Sequence, residues 1–214
     1  MKSVRNVLLG ALFITGNAVF AQAPLEKFYL KQVSPNNEHC VFVTREQLGD
    51  SQNDFKYTLI INYNKTNSDT VIFAHALTHD VSPPVFFWNK NSTKLIYEDG
   101  QGLLNEERNI KLFDIINRKV TFSTRGILNI NEEAKTKYFD SENGILIYLE
   151  EVDKKVFDIL ALDIANQKIK KLKSVKVSDD PITSTPLISR SDKLKREVQV
   201  EYFEGTQHTL TLRY

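Results

Sequence analysis

The sequence predicts an all-β protein, built as a propeller-like array of about four antiparallel, four-stranded blades. Two observations predict this fold. Short segments rich in β-branched and aromatic residues, separated by Asn, Asp, Ser, Gly or Pro, follow one another along most of the chain. In addition, one four-strand unit recurs about every fifty residues, a period typical of propeller blades.

The clearest copies of the unit contain the segments LFDIINRKVTF (112–122) and ALDIANQKIKK (161–171). Each carries an Asp at the end of a strand and an Asn three positions later, and these side chains can bond the local backbone of a turn. The corresponding residues are Asp114 and Asp163, and Asn117 and Asn166. For the second copy we predict strands at 84–88, 94–98, 109–114 and 119–124.

A looser first copy and an incomplete last copy complete the array. The repeats extend roughly over residues 26–75, 76–125, 126–176 and 177–214, and the last one lacks its fourth strand. A β-sandwich is the alternative fold, but a sandwich has no reason to repeat its turn chemistry at one fixed period. A three-stranded last blade would leave an open sheet edge.

The first residues have the layout of a cleaved secretory signal. Lys2 and Arg5 precede an apolar run from Val7 to Ile14, and small residues follow that run. The run is shorter than the roughly 20 residues that a membrane-spanning helix needs. We therefore expect residues 1–23 to be a signal peptide and residues 24–214 to form a single domain. The mature protein would be secreted or periplasmic, with no transmembrane segment after signal removal.

The charges are balanced and scattered along the chain. Lys and Arg number 28 against 27 Asp and Glu, giving a net charge of +1. Since no basic stripe is present, we expect no nucleic-acid partner. The basic segment 168–176 alternates with apolar residues, which predicts a strand with one lysine face and one buried face. Cys40 is the only cysteine, and its apolar flanks predict a small buried residue on a strand.

Several segments resemble TolB-like and WD-like propeller repeats. SPNNEHCVFVT (34–44), WNKNSTKLIYED (88–99) and FDSENGILIYLE (139–150) resemble the Ser-Pro-Asp-Gly turn and the apolar strand that follows it in those repeats. The segments around Asp114 and Asp163 resemble the later strand, Asp and Gly-Lys turn. The resemblance covers most of the mature chain, and it implies a rigid scaffold for protein contacts.

No group of residues predicts catalysis. The chain has no G-x-S-x-G motif, and the hydroxyl-rich segment 183–186 is interpreted as a loop. Adjacent acidic residues occur five times, and because neighbours on a strand point to opposite faces, they are interpreted as solvated loop charges. These pairs are Glu98-Asp99, Glu106-Glu107, Glu132-Glu133, Glu150-Glu151 and Asp179-Asp180. We expect no cofactor and no enzymatic activity. The alternative is a carbohydrate-active or otherwise hydrolytic propeller that uses acidic loop residues.

The best metal candidate is the pair His75 and His79, followed by Asp80. The segment lacks the Glu of a zinc-protease motif and would need a third ligand from elsewhere. We interpret it as a loop between blades and expect no metal.

Loops after the second and fourth strands of an up-and-down sheet emerge on the same side, and binding residues concentrate on such loops. This side would carry residues 46–55, 75–82, 99–108, 125–134 and 174–184. We expect a ligand-binding face there, near His75, His79, Asp80, Gln101, Leu103, Leu104 and Glu106.

These features predict an exported, non-enzymatic binding or scaffold protein. Its loop-rich face would contact a protein or a component of the cell envelope. Self-association is expected through the C-terminal edge strand HTLTLRY (208–214), because an unpaired edge can accept a strand from another chain.

Overall fold

The computed structural model describes residues 30–48, 54–78, 85–99, 108–128, 138–178 and 185–214. The elements in these ranges are fifteen β-strands. Their bounds are β1 Leu30–Val33, β2 His39–Gln47, β3 Asp54–Tyr63, β4 Ser68–Thr78, β5 Phe86–Trp88, β6 Lys94–Asp99, β7 Asn109–Asp114, β8 Lys119–Arg125, β9 Phe139–Asp140, β10 Ile145–Asp153, β11 Val156–Asp163, β12 Lys168–Lys176, β13 Leu187–Asp192, β14 Glu197–Phe203 and β15 Gln207–Arg213. In this part of the chain, no helix is both long enough and apolar enough to span a bilayer.

The strands form four separate antiparallel sheets in which consecutive strands are neighbours. The first sheet contains β1–β4, the second β5–β8, the third β9–β12 and the fourth β13–β15. The predicted fold class is therefore confirmed, including the three-stranded last blade. The strands predicted for the second copy match β5–β8 to within about two residues, the usual uncertainty of strand ends.

The sheets pack face to face through alternating side chains of their strands. In β5, Phe86 and Trp88 join the cluster between the first and second sheets, whereas Phe87 joins the cluster of the second, third and fourth. Successive residues of a strand point to opposite faces, so a blade between two neighbours buries both. Each fully buried Leu, Ile or Phe side chain stabilises the fold by about 1.5–3 kcal/mol.

In the second and third sheets, the first strand is innermost and the fourth is outermost. All residues of β5 and β9 are buried, whereas most residues of β8 and β12 are exposed. The prediction of one buried face for residues 168–176 was therefore wrong. Only Val175 of β12 is buried, because this strand lies at the outer edge of its blade. Its lysines protect that edge from pairing with other chains. Cys40 is buried on β2, as predicted.

A β-bulge interrupts the pairing of the outermost strand in each complete blade. The register shifts opposite Leu59/Ile60, Leu112/Phe113 and Ile159/Leu160. An extra residue at a bulge breaks the two-residue alternation of a strand and increases its twist. In β12 this is a second reason why the alternation of 168–176 does not give two distinct faces.

One turn recurs along the chain and accounts for the repeated Asp. The carboxylate Oδ1 of this Asp accepts the backbone N–H of the residue three positions later, at 2.8 to 3.1 Å. The turns begin at Asp114, Asp140, Asp163 and Asp192. In each turn, the residue that follows the N–H donor has a positive φ angle. These residues are Arg118, Gly144, Gln167 and Arg196. The sequence predicted the turns at Asp114 and Asp163, and the resemblance to propeller repeats indicated a turn in the segment 139–150. The structure adds the turn at Asp192.

The blades point the same way, because corresponding turns of neighbouring sheets touch. These contacts join Asn36 with Ser92, Lys90 with Glu142, and Asn143 with Arg196. We call this end of the blades the turn end. It carries the connections after the first and third strands, residues 34–38, 64–67, 89–93, 115–118, 141–144, 164–167 and 193–196. The opposite end, with the connections after the second and fourth strands, is the loop end.

Candidate functional site

Most of the residues predicted for a ligand-binding face lie outside the described residues: His79, Asp80, Gln101, Leu103, Leu104 and Glu106. The backbone of His75 is described, and it lies within β4, where it pairs with Tyr57. The interpretation of His75 as a loop residue was wrong, because β3 and β4 continue to pair as far as Thr78. The loop-end face stays a prediction.

A central cavity opens at the turn end, where residues from all four sheets meet. Its volume is about 270 Å³. The first strands and the turns after them supply its lining, which consists of Gln32, Val33, Pro35, Phe86, Phe87, Trp88, Phe139, Ser141 and Lys193. A void of this size suits one amino-acid-sized group, since pockets for drug-sized ligands measure about 300–1,000 Å³.

Buried aromatic side chains form much of the cavity wall. Phe87 and Phe139 reach it from the second and third sheets, with ring centroids 5.6 Å apart. Trp88 stacks on His39 of the first sheet, with centroids 6.3 Å apart. The indole Nε1–H of Trp88 is buried and has no hydrogen-bond partner among the described residues. A buried donor without a partner costs about 1–3 kcal/mol, and burial closes this N–H to a ligand in the cavity.

Burial also affects His39, the ring behind Trp88. It lowers the pKa of His39, with a smaller opposing effect from Glu38. The ring therefore favours its neutral form, and its second aromatic neighbour is Tyr63, at 5.3 Å between centroids. This stack fixes the position of Trp88 at the cavity wall.

The polar part of the cavity lining consists of Gln32, Ser141 and Lys193. Lys193 is half-buried, and no ion pair involves it within the described part of the chain. Among the described residues, no acidic side chain lines the cavity. The ammonium of Lys193 offers only donors, so the lining favours a ligand that carries acceptors or negative charge.

Asp140 lies next to the cavity without lining it, and its carboxylate already has partners. It accepts the backbone N–H of Asn143 at 3.1 Å, the amide of the same residue at 2.7 Å and the phenol of Tyr214 at 3.1 Å. Burial alone would raise the pKa of Asp140, but these hydrogen bonds and the charge of Lys193 outweigh it and lower the pKa. The carboxylate is therefore ionised and occupied, which leaves Lys193 as the charged group at the cavity.

A second cavity lies between the turns of the second and third sheets, with a volume of about 320 Å³. Its lining is mainly polar, but the side chains satisfy one another. Lys90 pairs with Glu142, and the amide of Asn89 donates to Thr93. Both cavities lie at the turn end, whereas the sequence directed attention to the loop end.

At the loop end, Glu98 is fully buried between Arg108 and the second-to-third blade connection. It pairs with the guanidinium of Arg108 and accepts the backbone N–H of Leu128 at 2.7 Å. Burial raises its pKa, against the opposing effect of Arg108. The interpretation of this residue as a solvated loop charge was therefore wrong. Its contacts tie the chain that leads into the third blade, and no ligand is needed to explain them.

Across the described residues, no group of three or more His, Cys, Asp or Glu side chains is arranged to hold a metal ion.

Sequence reasoning missed the central cavity. A signal was present in the three consecutive aromatic residues Phe86, Phe87 and Trp88, which a strand with one solvated face would not carry. The sequence did not indicate that these rings meet Val33 and Lys193, which are more than fifty and one hundred residues away along the chain.

Four antiparallel sheets, joined in sequence and packed around their first strands, define a protein of the β-propeller type. The resemblance to propeller repeats is thus confirmed at the level of the fold. The chain matches no known family profile and no curated protein.

Solved structures similar to this chain include propeller domains. The β-propeller domain of the Trilobed protease from Pyrococcus furiosus is 15% identical with a TM-score of 0.47, and the match covers 85% of this chain and 53% of that one. The acylaminoacyl peptidase of Pyrococcus horikoshii is 11% identical with a TM-score of 0.44, and the match covers 86% of this chain and 31% of that one. The WD40 domain of Toxoplasma gondii coronin is 11% identical with a TM-score of 0.40, and the match covers 85% of this chain and 43% of that one. The chain spans about half the length of the first of these structures.

Proposed function

We propose that this chain is an exported, non-enzymatic binding protein whose central cavity receives an apolar side chain of a polypeptide partner. The observation that carries the proposal is the cavity of about 270 Å³ to which all four sheets contribute. Its wall of buried Phe87, Trp88 and Phe139 would cover an inserted apolar group on several sides. Aromatic walls that are held by a rigid scaffold are typical of binding pockets.

The surface around the cavity supports a polypeptide partner. Apolar side chains are exposed beside the cavity: Leu194, which follows the lining residue Lys193, is 99% exposed, and Val33 is 46% exposed. Exposed apolar side chains near a pocket are typical of protein contact sites. A polypeptide could insert one side chain into the cavity and cover these residues with the residues beside it.

Export rests on the predicted signal peptide at residues 1–23. The proposal includes a partner located in the cell envelope, and it includes the scaffold role that the resemblance to propeller repeats implies. The loop-end face around His75 and Glu106 is a further proposed contact region.

The proposal can be tested by selecting peptides from a random displayed library on the protein without its signal peptide. Selected peptides would then be synthesised and titrated while Trp88 fluorescence is recorded. Trp88 is the only tryptophan, so its emission reports directly on the cavity wall. We expect the selected peptides to share an apolar residue and to change this emission on binding.

A matched pair of variants provides the control. Val33→Tyr adds bulk at the cavity lining, whereas Val71→Tyr adds the same bulk on β4, at a site that is also exposed. We expect only Val33→Tyr to weaken peptide binding, by about tenfold or more, which corresponds to about 1.4 kcal/mol. Selection that gives no shared apolar residue, or binding that both variants retain, would contradict the proposal.

A further inference from the structure

Resting on the proposed function, we infer that the central cavity recognises the C-terminal residue of a polypeptide, with Lys193 binding the α-carboxylate and the aromatic wall covering an apolar side chain. This identifies the ligand class for the cavity and gives Lys193 the role of specificity determinant. Three features of the cavity favour this ligand: the polar composition of its lining, the charge of the lining and the cavity volume.

The polar groups of the lining are biased towards donors. The ammonium of Lys193 donates and cannot accept hydrogen bonds. The hydroxyl of Ser141 and the amide of Gln32 can serve as further donors. A carboxylate has only acceptors when ionised, so it complements this set.

The charge of the lining also favours a carboxylate. Lys193 is the only charged residue among the described residues that line the cavity; its charge helps to lower the pKa of Asp140, but it forms no direct ion pair with a described acidic residue. Two other cations of the turn end form direct ion pairs: Lys90 with Glu142, and Lys195 with Asp192 at 3.6 Å. The nearby carboxylate of Asp140 is occupied by Asn143 and Tyr214.

The cavity volume indicates that the carboxylate and the apolar group of the ligand belong to the same residue. A cavity of about 270 Å³ holds one amino-acid-sized group. In an extended peptide, the side chain of the next residue points to the opposite face, so an adjacent Asp or Glu would not enter the same cavity. The α-carboxylate of a C-terminal residue lies one bond from its own Cα and would enter together with the side chain.

The test compares a carboxylic acid with its amide. The probes are the peptides acetyl-Gly-Gly-Phe with a free C-terminus and the same peptide with a C-terminal amide, titrated against Trp88 fluorescence. We expect the acid to bind about fivefold more tightly, the order of magnitude for one partly exposed ion pair. Added salt should reduce the difference, because it screens the charges.

Three variants assign the preference to its residue. Lys193→Met should bind acid and amide equally, whereas Lys193→Arg should retain the preference for the acid. Lys195→Met removes a cation from the same turn without touching the cavity lining, so the preference should persist. Equal binding of the two peptides by the unmodified protein would overturn the inference, and so would a preference that survives in Lys193→Met.

Three further outcomes distinguish a failure of the inference from a failure of the proposed function. If neither peptide binds but library-selected internal sequences do, the inference fails while the proposed function stands. If acetyl-phenylalanine binds and the tripeptide acid does not, the ligand is a small free carboxylate, which overturns the inference of a polypeptide C-terminus. If no peptide of either kind changes Trp88 emission, the proposed function fails as well.

Discussion

Gly126 lies directly against the ring of Tyr148, at the point where the chain passes from the second blade to the third. A Cβ atom at Gly126 would stand 2.5 Å from Cδ2 and 2.7 Å from Cε2 of that ring. The ring is fully buried and cannot move aside easily. Nearby, Ile127 and Leu149 exchange backbone hydrogen bonds of 2.7 and 3.1 Å. The contact thus fixes how closely the connection approaches β10.

The first prediction concerns this close contact. Gly126→Ala should lower the free energy of unfolding by about 1–3 kcal/mol, the usual cost of overpacking a dense core. The φ angle of Gly126 lies outside the left-handed region, so steric contact rather than backbone strain is the cause. Denaturant unfolding of the variant and of the unmodified protein measures the difference.

A double-mutant cycle supplies the control for Gly126→Ala. Replacing Tyr148 by Leu removes the ring that the new methyl group would meet. In the Tyr148→Leu background, Gly126→Ala should therefore cost less than it does in the unmodified protein. Equal costs in both backgrounds would show that the ring is not the obstacle.

The second prediction concerns the buried pair of Glu98 and Arg108. Arg108→Met should destabilise the protein by about 3–5 kcal/mol at neutral pH, because it leaves the Glu98 carboxylate buried without a counter-ion. The exposed pair of Lys56 and Glu46, 3.9 Å apart, offers the control. Lys56→Met should cost less than about 1 kcal/mol.

The pH dependence of Arg108→Met distinguishes a lost charge partner from lost packing. Burial raises the pKa of Glu98, and Arg108 opposes this rise, so the variant should have a still higher pKa there. A carboxyl with a raised pKa in the folded state binds protons more readily than in the unfolded chain. Stability of the variant should therefore fall as pH rises above the unfolded value of about 4.3. A cost that is equal at pH 5 and pH 8 would contradict the electrostatic explanation.

The third prediction concerns Asp140, whose pKa is lowered by its hydrogen bonds against the effect of burial. A carboxyl with a lowered folded pKa stabilises the protein above its unfolded pKa of about 3.9, and this stability is lost as pH falls through the folded pKa. Asp140→Asn should thus be destabilising at pH 7. The difference from the unmodified protein should shrink as pH falls below about 4.

Two variants accompany Asp140→Asn. Tyr214→Phe removes one of the hydrogen bonds to Asp140 and should show the same dependence on pH with a smaller amplitude. Asp69→Asn changes an exposed aspartate on β4 and should alter stability by less than about 0.5 kcal/mol. Unfolding curves at several pH values measure all three variants. A cost of Asp140→Asn that is constant from pH 7 to pH 3 would contradict this explanation.

Local chemistry explains which parts of the fold were predictable from sequence. The turns at Asp114 and Asp163 were visible because an Asp side chain bonds the backbone only three residues away. The strands were visible because they are short and follow turn residues. The order of the strands followed from the repeat. All of these features depend on residues that are near one another in sequence.

The features that the sequence did not reveal depend on distant residues. Glu98 is buried because Leu128, thirty positions later, returns to it. The strand 168–176 is exposed because its position at the outer edge, rather than its alternation, decides burial. The central cavity exists only when Val33, Phe139 and Lys193 meet around the first strands. A single sequence contains no spacing rule that brings these residues together.

The last prediction concerns β15, which lies at one edge of the three-stranded fourth sheet. An edge strand presents backbone N–H and C=O groups that can pair with another chain. Light scattering after size exclusion should therefore show a dimer or larger species at high protein concentration. Thr211→Lys places a charge at an exposed position of β15 and should shift the protein to a monomer, as edge lysines protect other sheets. Ser123→Lys places a charge at an exposed position of the outer strand β8 and serves as the control. A monomer at every concentration would contradict self-association through this edge, as would a dimer that Thr211→Lys leaves intact.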